Sequence, residues 1–208
     1  MARRCLLFVL RWLERALFLA GVACASWVYV TWKEATFYQL YARTQFQQMV
    51  KETKGPAAPG LPRAPGSIHS IEPVIGLLDV PRLDLSVVVL EGDDDRILRI
   101  AVGHLPDTPL PWVDGNASMA GHRDTFFRAL RNLVVGDDIQ LATTRGTFDY
   151  RVRRMMIVAP DDVSVLHPDD NTALTLITCY PFTYLGDAPQ RFVVQAERVA
   201  RVAEEDPD

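Results

Sequence analysis

A mainly β domain carried behind an N-terminal membrane helix is the fold class that this 208-residue chain predicts, on three observations. From about residue 71 the sequence breaks into short β-like runs separated by turn residues, over roughly 130 residues, the size of one domain. No βαβ alternation interrupts them, so a parallel nucleotide-binding sheet is not expected, and a closed antiparallel barrel or a sandwich is. Ahead of them lies an apolar stretch with arginines on one side. Charge follows the same division. Residues 1–33 hold Arg3, Arg4, Arg11, Arg15 and Lys33 against Glu14, a net of +4, whereas the whole chain stands at −4, which leaves −8 for the rest.

Residues 1–33 read as a cytoplasmic tip and transmembrane signal anchor. The clean apolar run is Ala16–Trp32, at the lower limit for a spanning helix. The Leu-rich turns before it, with Arg11 and Arg15 snorkelling, lengthen the span. Trp27, Tyr29 and Trp32 suit the lipid–water boundary at one end. The arginines at the other put the N-terminus in the cytoplasm and everything after Lys33 outside. A cleaved signal peptide near Ala23-Cys24-Ala25 is disfavoured because apolar sequence continues past it, and Gly21 stands where a lipoprotein site at Cys24 would have a large aliphatic residue.

Residues 34–53 lack Pro and Gly and place Phe37, Leu40, Tyr41, Phe46 and Met49 at roughly helical spacing, a helical stalk. Residues 54–70 form a linker; four prolines and three glycines within Lys54–Ser67 make it a semi-rigid spacer. The β domain occupies 71–201, and 202–208 is an acidic tail. Within the domain the runs are Val74–Val80, Leu85–Leu90, Ile97–Val102 (equally a short helix), Ile139–Thr143, Thr147–Ala159, Ala173–Cys179 and Arg191–Val199. Gly136-Asp137-Asp138 and Arg145-Gly146 are turn signals. Asp124–Leu133 is the one helical-looking stretch among them.

Composition excludes a disordered chain, a collagen and a disulfide scaffold. No basic stripe lies outside the first residues, so no nucleic-acid surface is expected. There is no Walker loop, no GxGxxG, no Cys-x-x-Cys and no close His pair, so neither a nucleotide cofactor nor a metal is expected. The acidic pairs at Asp93–Asp95, Asp161-Asp162 and Asp169-Asp170 read as solvated turns.

Cys179 ends a β-branched run and is followed by Tyr180-Pro181-Phe182, which fixes it near a strand end. A buried Cys is commonly an inert small hydrophobe; here Cys5 and Cys24 fall on the membrane side and nothing in the domain can pair with it. His122, in Ala120-Gly-His-Arg-Asp-Thr-Phe-Phe127, sits at a junction where an imidazole can face a cleft and exchange protons. His104, in Val102-Gly-His-Leu-Pro106, competes in a similar setting, whereas His69 and His167 look like loop residues. Arg191 opens the last strand twelve residues after Cys179, so an intervening loop would place its guanidinium beside the thiol.

Thr175-Leu-Ile-Thr-Cys179 matches the TLxTC signature of sortases. Gly121-His-Arg-Asp-Thr-Phe-Phe127 resembles their catalytic-histidine segment, and Cys179-Tyr-Pro-Phe followed by Arg191-Phe-Val-Val is similar to class D. The segments stand in the family's order over about residues 71–200. Two departures are Ala129, where class D often has Pro, and the Asp-rich loop Val158–Asn171. The resemblance implies a closed eight-stranded β-barrel with short helices and a membrane-anchored bacterial cysteine transpeptidase needing no cofactor. It implies Cys179 as nucleophile, His122 as proton-transfer partner and Arg191 as the group steadying the acyl oxygen. Thr178, Ala120 and His104 are candidate substrate-binding residues; His104 resembles an upstream Gly-His of the family that is not the catalytic one. The partners it implies are surface proteins bearing an LPxTG-like sorting signal, cut after Thr, and an amine acceptor in cell wall or pilin.

Three rival classes fit less well. In a papain-like protease the Cys precedes the His. An L,D-transpeptidase places a Gly before its Cys, where this chain has Thr178. A non-catalytic anchored β-domain would leave Cys179 as a buried structural thiol.

Overall fold

The computed structural model describes residues 2–53, 73–167, 173–184 and 186–199, with side chains in the first stretch described at 11–29, 33 and 37–48. The expected linker and acidic tail lie outside them. The elements are α1 (Ala2–Thr53), β1 (Val74–Val80), β2 (Leu85–Glu91), α2 (Asp95–Ile100), β3 (Val102–His104), β4 (Ala117–Ala120), β5 (Asp138–Thr143), β6 (Gly146–Val158), β7 (Leu174–Tyr180) and β8 (Gln190–Val199), with short 3-10 segments between some of them.

The chain divides into two compact units, Met1–Tyr38 and Gln39–Asp208. The first is helical and exposes Leu17, Phe18, Leu19 and Trp27. Among the described residues no helix is long and apolar enough to cross a membrane. Val30, Thr31 and Trp32, which close the apolar run read as a span, lie outside the described side chains.

The second unit is a closed barrel in the order β1-β2-β3-β4-β7-β8-β6-β5, with β5 pairing back onto β1. It is not wholly antiparallel. β2 pairs with β3, and β4 with β7, in parallel. The β2–β3 connection carries α2, as a parallel crossover requires. The run Ile97–Val102 therefore splits into the end of a helix and the start of a strand. The helix begins there because the Asp94 carboxylate accepts the backbone N–H groups of Arg96 (2.8 Å) and Ile97 (3.0 Å). The expected helix over Asp124–Leu133 is instead a turn followed by a 3-10 segment, Arg128–Asn132. A threefold repeat sends Phe127 and Leu130 together into the core.

Alternate residues fill the barrel: Val87 and Val89 on β2, Ile139 and Leu141 on β5, Leu174 and Leu176 on β7, Val194 and Ala196 on β8. β2 is buried on both faces, since Val88 and Leu90 are also fully enclosed. Helix residues from Gln39 onward lie against this strand. The Gln39 side-chain oxygen accepts the Val88 N–H (3.0 Å) while its nitrogen donates to the Ile100 carbonyl (2.7 Å), standing in for a missing strand neighbour. Arg43 donates to the Ser86 hydroxyl and carbonyl. The buried residues of this helix are Ala42 and Phe46, with Gln39 half-buried beside them, whereas Phe37, Leu40 and Tyr41, expected on the apolar face, are exposed.

Below the strands, Asp137 accepts hydrogen bonds from the Arg82 guanidinium and from Val134 N–H (2.8 Å), while Arg82 also donates to the Asn132 carbonyl (2.6 Å). The Arg82 hydrogen bonds outweigh the cost of burial and hold the Asp137 carboxyl below its usual range. A lowered folded value stabilises the fold above the unfolded carboxylate range, about 3.9, and the contribution disappears as pH falls through the folded value. Asp137→Asn is expected to lower the melting temperature of the full chain at neutral pH, with the difference closing in acid as pH falls through the lowered folded value. Thermal unfolding of both proteins across that range checks it.

Candidate active site

The parallel pairing of β4 with β7 sets the site. Its register runs from Ala117 opposite Leu174 to Ala120 opposite Ile177, so β4 ends at the last of these pairs while β7 runs on to Tyr180 and carries Cys179 past it at one rim. Gly121 continues the contact, donating its N–H to the Ile177 carbonyl (3.1 Å) and accepting the Thr178 hydroxyl (2.7 Å). His122 leaves β4 at this point, and its own carbonyl accepts the Phe127 N–H (3.0 Å). On the far side, β7 and β8 are antiparallel and Cys179 is the register partner of Arg191. Three chain segments thus bring an imidazole, a thiol and a guanidinium to the ends of adjacent strands.

These three side chains line one cleft of about 350 Å³ together with Arg123, Asp124 and Gly186–Ala188 of the loop joining β7 to β8. Cys179 is half-buried and unbridged. Behind it, Tyr180, Phe182 and Phe192 pack ring against ring at 5.4–6.4 Å, and Phe182 and Phe192 abut the barrel core. This wedge anchors the strand end that carries the thiol. Arg191 donates from Nη1 to the carbonyls of Ala188 (3.2 Å) and Gln190 (3.1 Å). Its Nε and Nη2 have no partner among the described residues, so they are available to an oxygen in the cleft.

The other expected site residues are not among those lining this cleft. Thr178 is buried, its hydroxyl committed to Gly121. Ala120 is half-buried at the end of β4 beside Ile177. His104 sits on β3, 1% exposed, with Nδ1 facing Glu91 (3.0 Å) and Nε2 facing the Pro109 carbonyl (3.1 Å), and does not line the cleft. Two acidic pairs take local roles: the Asp94 carboxylate caps α2, and that of Asp162 accepts the Ser164 N–H (3.1 Å). Asp169-Asp170 lies outside the described residues. Among the described residues no three His, Cys, Asp or Glu side chains gather as a metal site. The sequence alone assigns no role to Arg123 or to the loop wall; the arginine adjacent to His122 is the available signal.

A family model described as the sortase domain matches residues 78–199. Sortase D of Bacillus subtilis is 37% identical over 125 residues, covering 60% of this chain and 63% of that protein, so the match spans less than two thirds of its length. Among solved structures, a sortase D5 transpeptidase of Clostridium perfringens superposes with a TM-score of 0.55 at 29% identity, over 61% of this chain and 79% of that one. Clostridium perfringens sortase C, solved with the C-terminal cell wall sorting motif, gives a TM-score of 0.56 at 28% identity, over 62% and 71%.

A Cβ at Gly121 would lie 2.8 Å from the Phe127 ring, which is fully buried and cannot withdraw. Gly121→Ala is expected to destabilise the full chain by about 1–3 kcal/mol through overpacking, read by chemical denaturation.

Proposed function

The chain belongs to the sortase family, whose members are cysteine transpeptidases, and from that membership we propose that it cleaves an LPxTG-like sorting signal after Thr and transfers the acyl group to an amine. The observation that carries this reading is the register pairing of Cys179 with Arg191 while His122 lines the same cleft.

The Cys179 thiolate attacks the Thr carbonyl, the C–N bond to the next residue breaks, and the acyl group remains on sulfur as a thioester. This divides one amide exchange into two easier steps. Protonated His122 gives its proton to the departing amine; the neutral ring then takes one from the incoming amine. Arg191 keeps its charge throughout, and its free guanidinium N–H groups suit the negative charge that develops on the carbonyl oxygen. Ile177 shares Cys179's side of β7 and neighbours Ala120 of β4, which supports an apolar seat for the signal's Leu-Pro portion. The substrates are surface proteins carrying such a signal, and the acceptor is an amine of cell wall or pilin. The charge and apolar pattern of residues 1–33 supports a single-pass anchor with the N-terminus in the cytoplasm and the catalytic domain outside the cell membrane.

The test is incubation of the full chain, in detergent, with a library of LPxTx peptides and an amine acceptor, followed by mass analysis. A thioacyl adduct on Cys179 and an amide product are expected, and Cys179→Ala is expected to yield neither. No adduct with any peptide would overturn the reading. Arg191→Lys is expected to lose at least about a hundredfold in rate, because a point charge does not replace a planar fork; a normal rate would remove the assigned role.

A further inference from the structure

We infer that Arg123 is a positioning residue that fixes Arg191 and the cleft wall by clamping the loop between β7 and β8; the inference deepens the proposed transpeptidase reading and rests on it. The loop joins the thiol's strand to the guanidinium's strand and needs an outside hold, since it lies beyond the β7–β8 ladder, which ends at Tyr180 opposite Gln190. Arg123 provides that hold. From the segment bearing His122, its Nη1 donates to the Pro181 carbonyl (3.2 Å) and its Nη2 to the Gly186 carbonyl (2.8 Å), with the guanidinium carbon 5.9 Å from the centre of the Tyr184 ring. One planar fork therefore grips the loop at its first residue and again past its middle.

The next residues, Asp187 and Ala188, are cleft wall, and the Ala188 carbonyl is a partner of Arg191. A relay runs from Arg123 through Gly186 and Ala188 to Arg191. Two of Arg123's donors are already spent on backbone carbonyls, which suits it to holding the loop, whereas Arg191 has no partner for Nε and Nη2 among the described residues. Loosening the relay would shift the guanidinium relative to the thiol, and displacements of about 1 Å in a reacting constellation cost on the order of a hundredfold in rate.

The test uses the full chain with Arg123→Met and Arg123→Lys. Arg123→Met is expected to lower kcat by about ten- to a hundredfold with KM nearly unchanged, and Arg123→Lys to recover only part, since an ammonium cannot bridge both carbonyls. In Arg123→Met/Arg191→Lys the rate is expected to match Arg191→Lys alone, because both changes act on one group. A wild-type kcat in Arg123→Met, or a double variant that multiplies the two losses, would overturn the inference. Backbone hydrogen exchange supplies a readout that needs no turnover. Faster exchange at Tyr184, Gly186, Asp187 and Ala188 is expected in Arg123→Met with β7, β8 and the melting temperature unaltered; unchanged loop exchange would overturn the clamp. An inactive wild type with a loosened loop would instead fault the transpeptidase reading alone.

Discussion

The parallel contact between β4 and β7 is the constraint on which the site depends. Nothing in the local sequence draws Gly121 toward Thr178, 57 residues away; the contact exists because the barrel closes with these two strands side by side. Side chains fasten it at both ends. At the rim the Thr178 hydroxyl meets the Gly121 carbonyl. At the other end Asn116, buried, accepts the Thr175 hydroxyl (2.9 Å) and donates to the Ser118 hydroxyl (3.2 Å) and the Leu166 carbonyl (3.1 Å). Buried polar groups so fully satisfied define a unique register, and a slip by one residue would turn every side chain of a strand to the opposite face.

With that register in place, the remaining geometry is inherited from ordinary strand pairing. Cys179 faces Arg191 because β7 and β8 are antiparallel neighbours. The aromatic wedge behind Cys179 ties the same strand end into the core. Arg123 reaches across because His122's segment and the β7–β8 loop both leave from the same rim. Further from the site, the Gln39 amide and Arg43 extend the barrel's hydrogen bonding to the helix, so the expected stalk meets β2 through residues from Gln39 onward.

Legibility in the sequence tracked how local the determining interaction is. The runs around Leu85–Leu90 and Ala173–Cys179 declared themselves because a short, near-continuous apolar run rich in β-branched residues and bounded by turn residues writes a strand locally. β4 did not: Ala117-Ser-Met-Ala120 has no β-branched residue and is strand because β3 and Leu174–Ile177 of β7 lie on either side of it. The parallel pairings were equally invisible, being facts about connection and not composition. Cys179, His122 and Arg191 were readable as candidates through their flanking strings and chain order. Arg123 stood in the same string without a role, since its meaning comes from carbonyls more than fifty residues away. The polar Gln39 leaves no mark in the sequence because it binds backbone, which no hydropathy pattern records.

The assembly of the rim from distant segments has a consequence for the newly made protein. His122 and Cys179 are separated by most of the barrel's second half, and contacts of that span form late, once loop-closure entropy has been overcome. A chain still emerging or only half folded carries a thiol with no imidazole beside it and no guanidinium held across from it. The cleft is therefore an all-or-none property of the finished barrel, and whatever reaction the three groups support together must wait until the barrel closes.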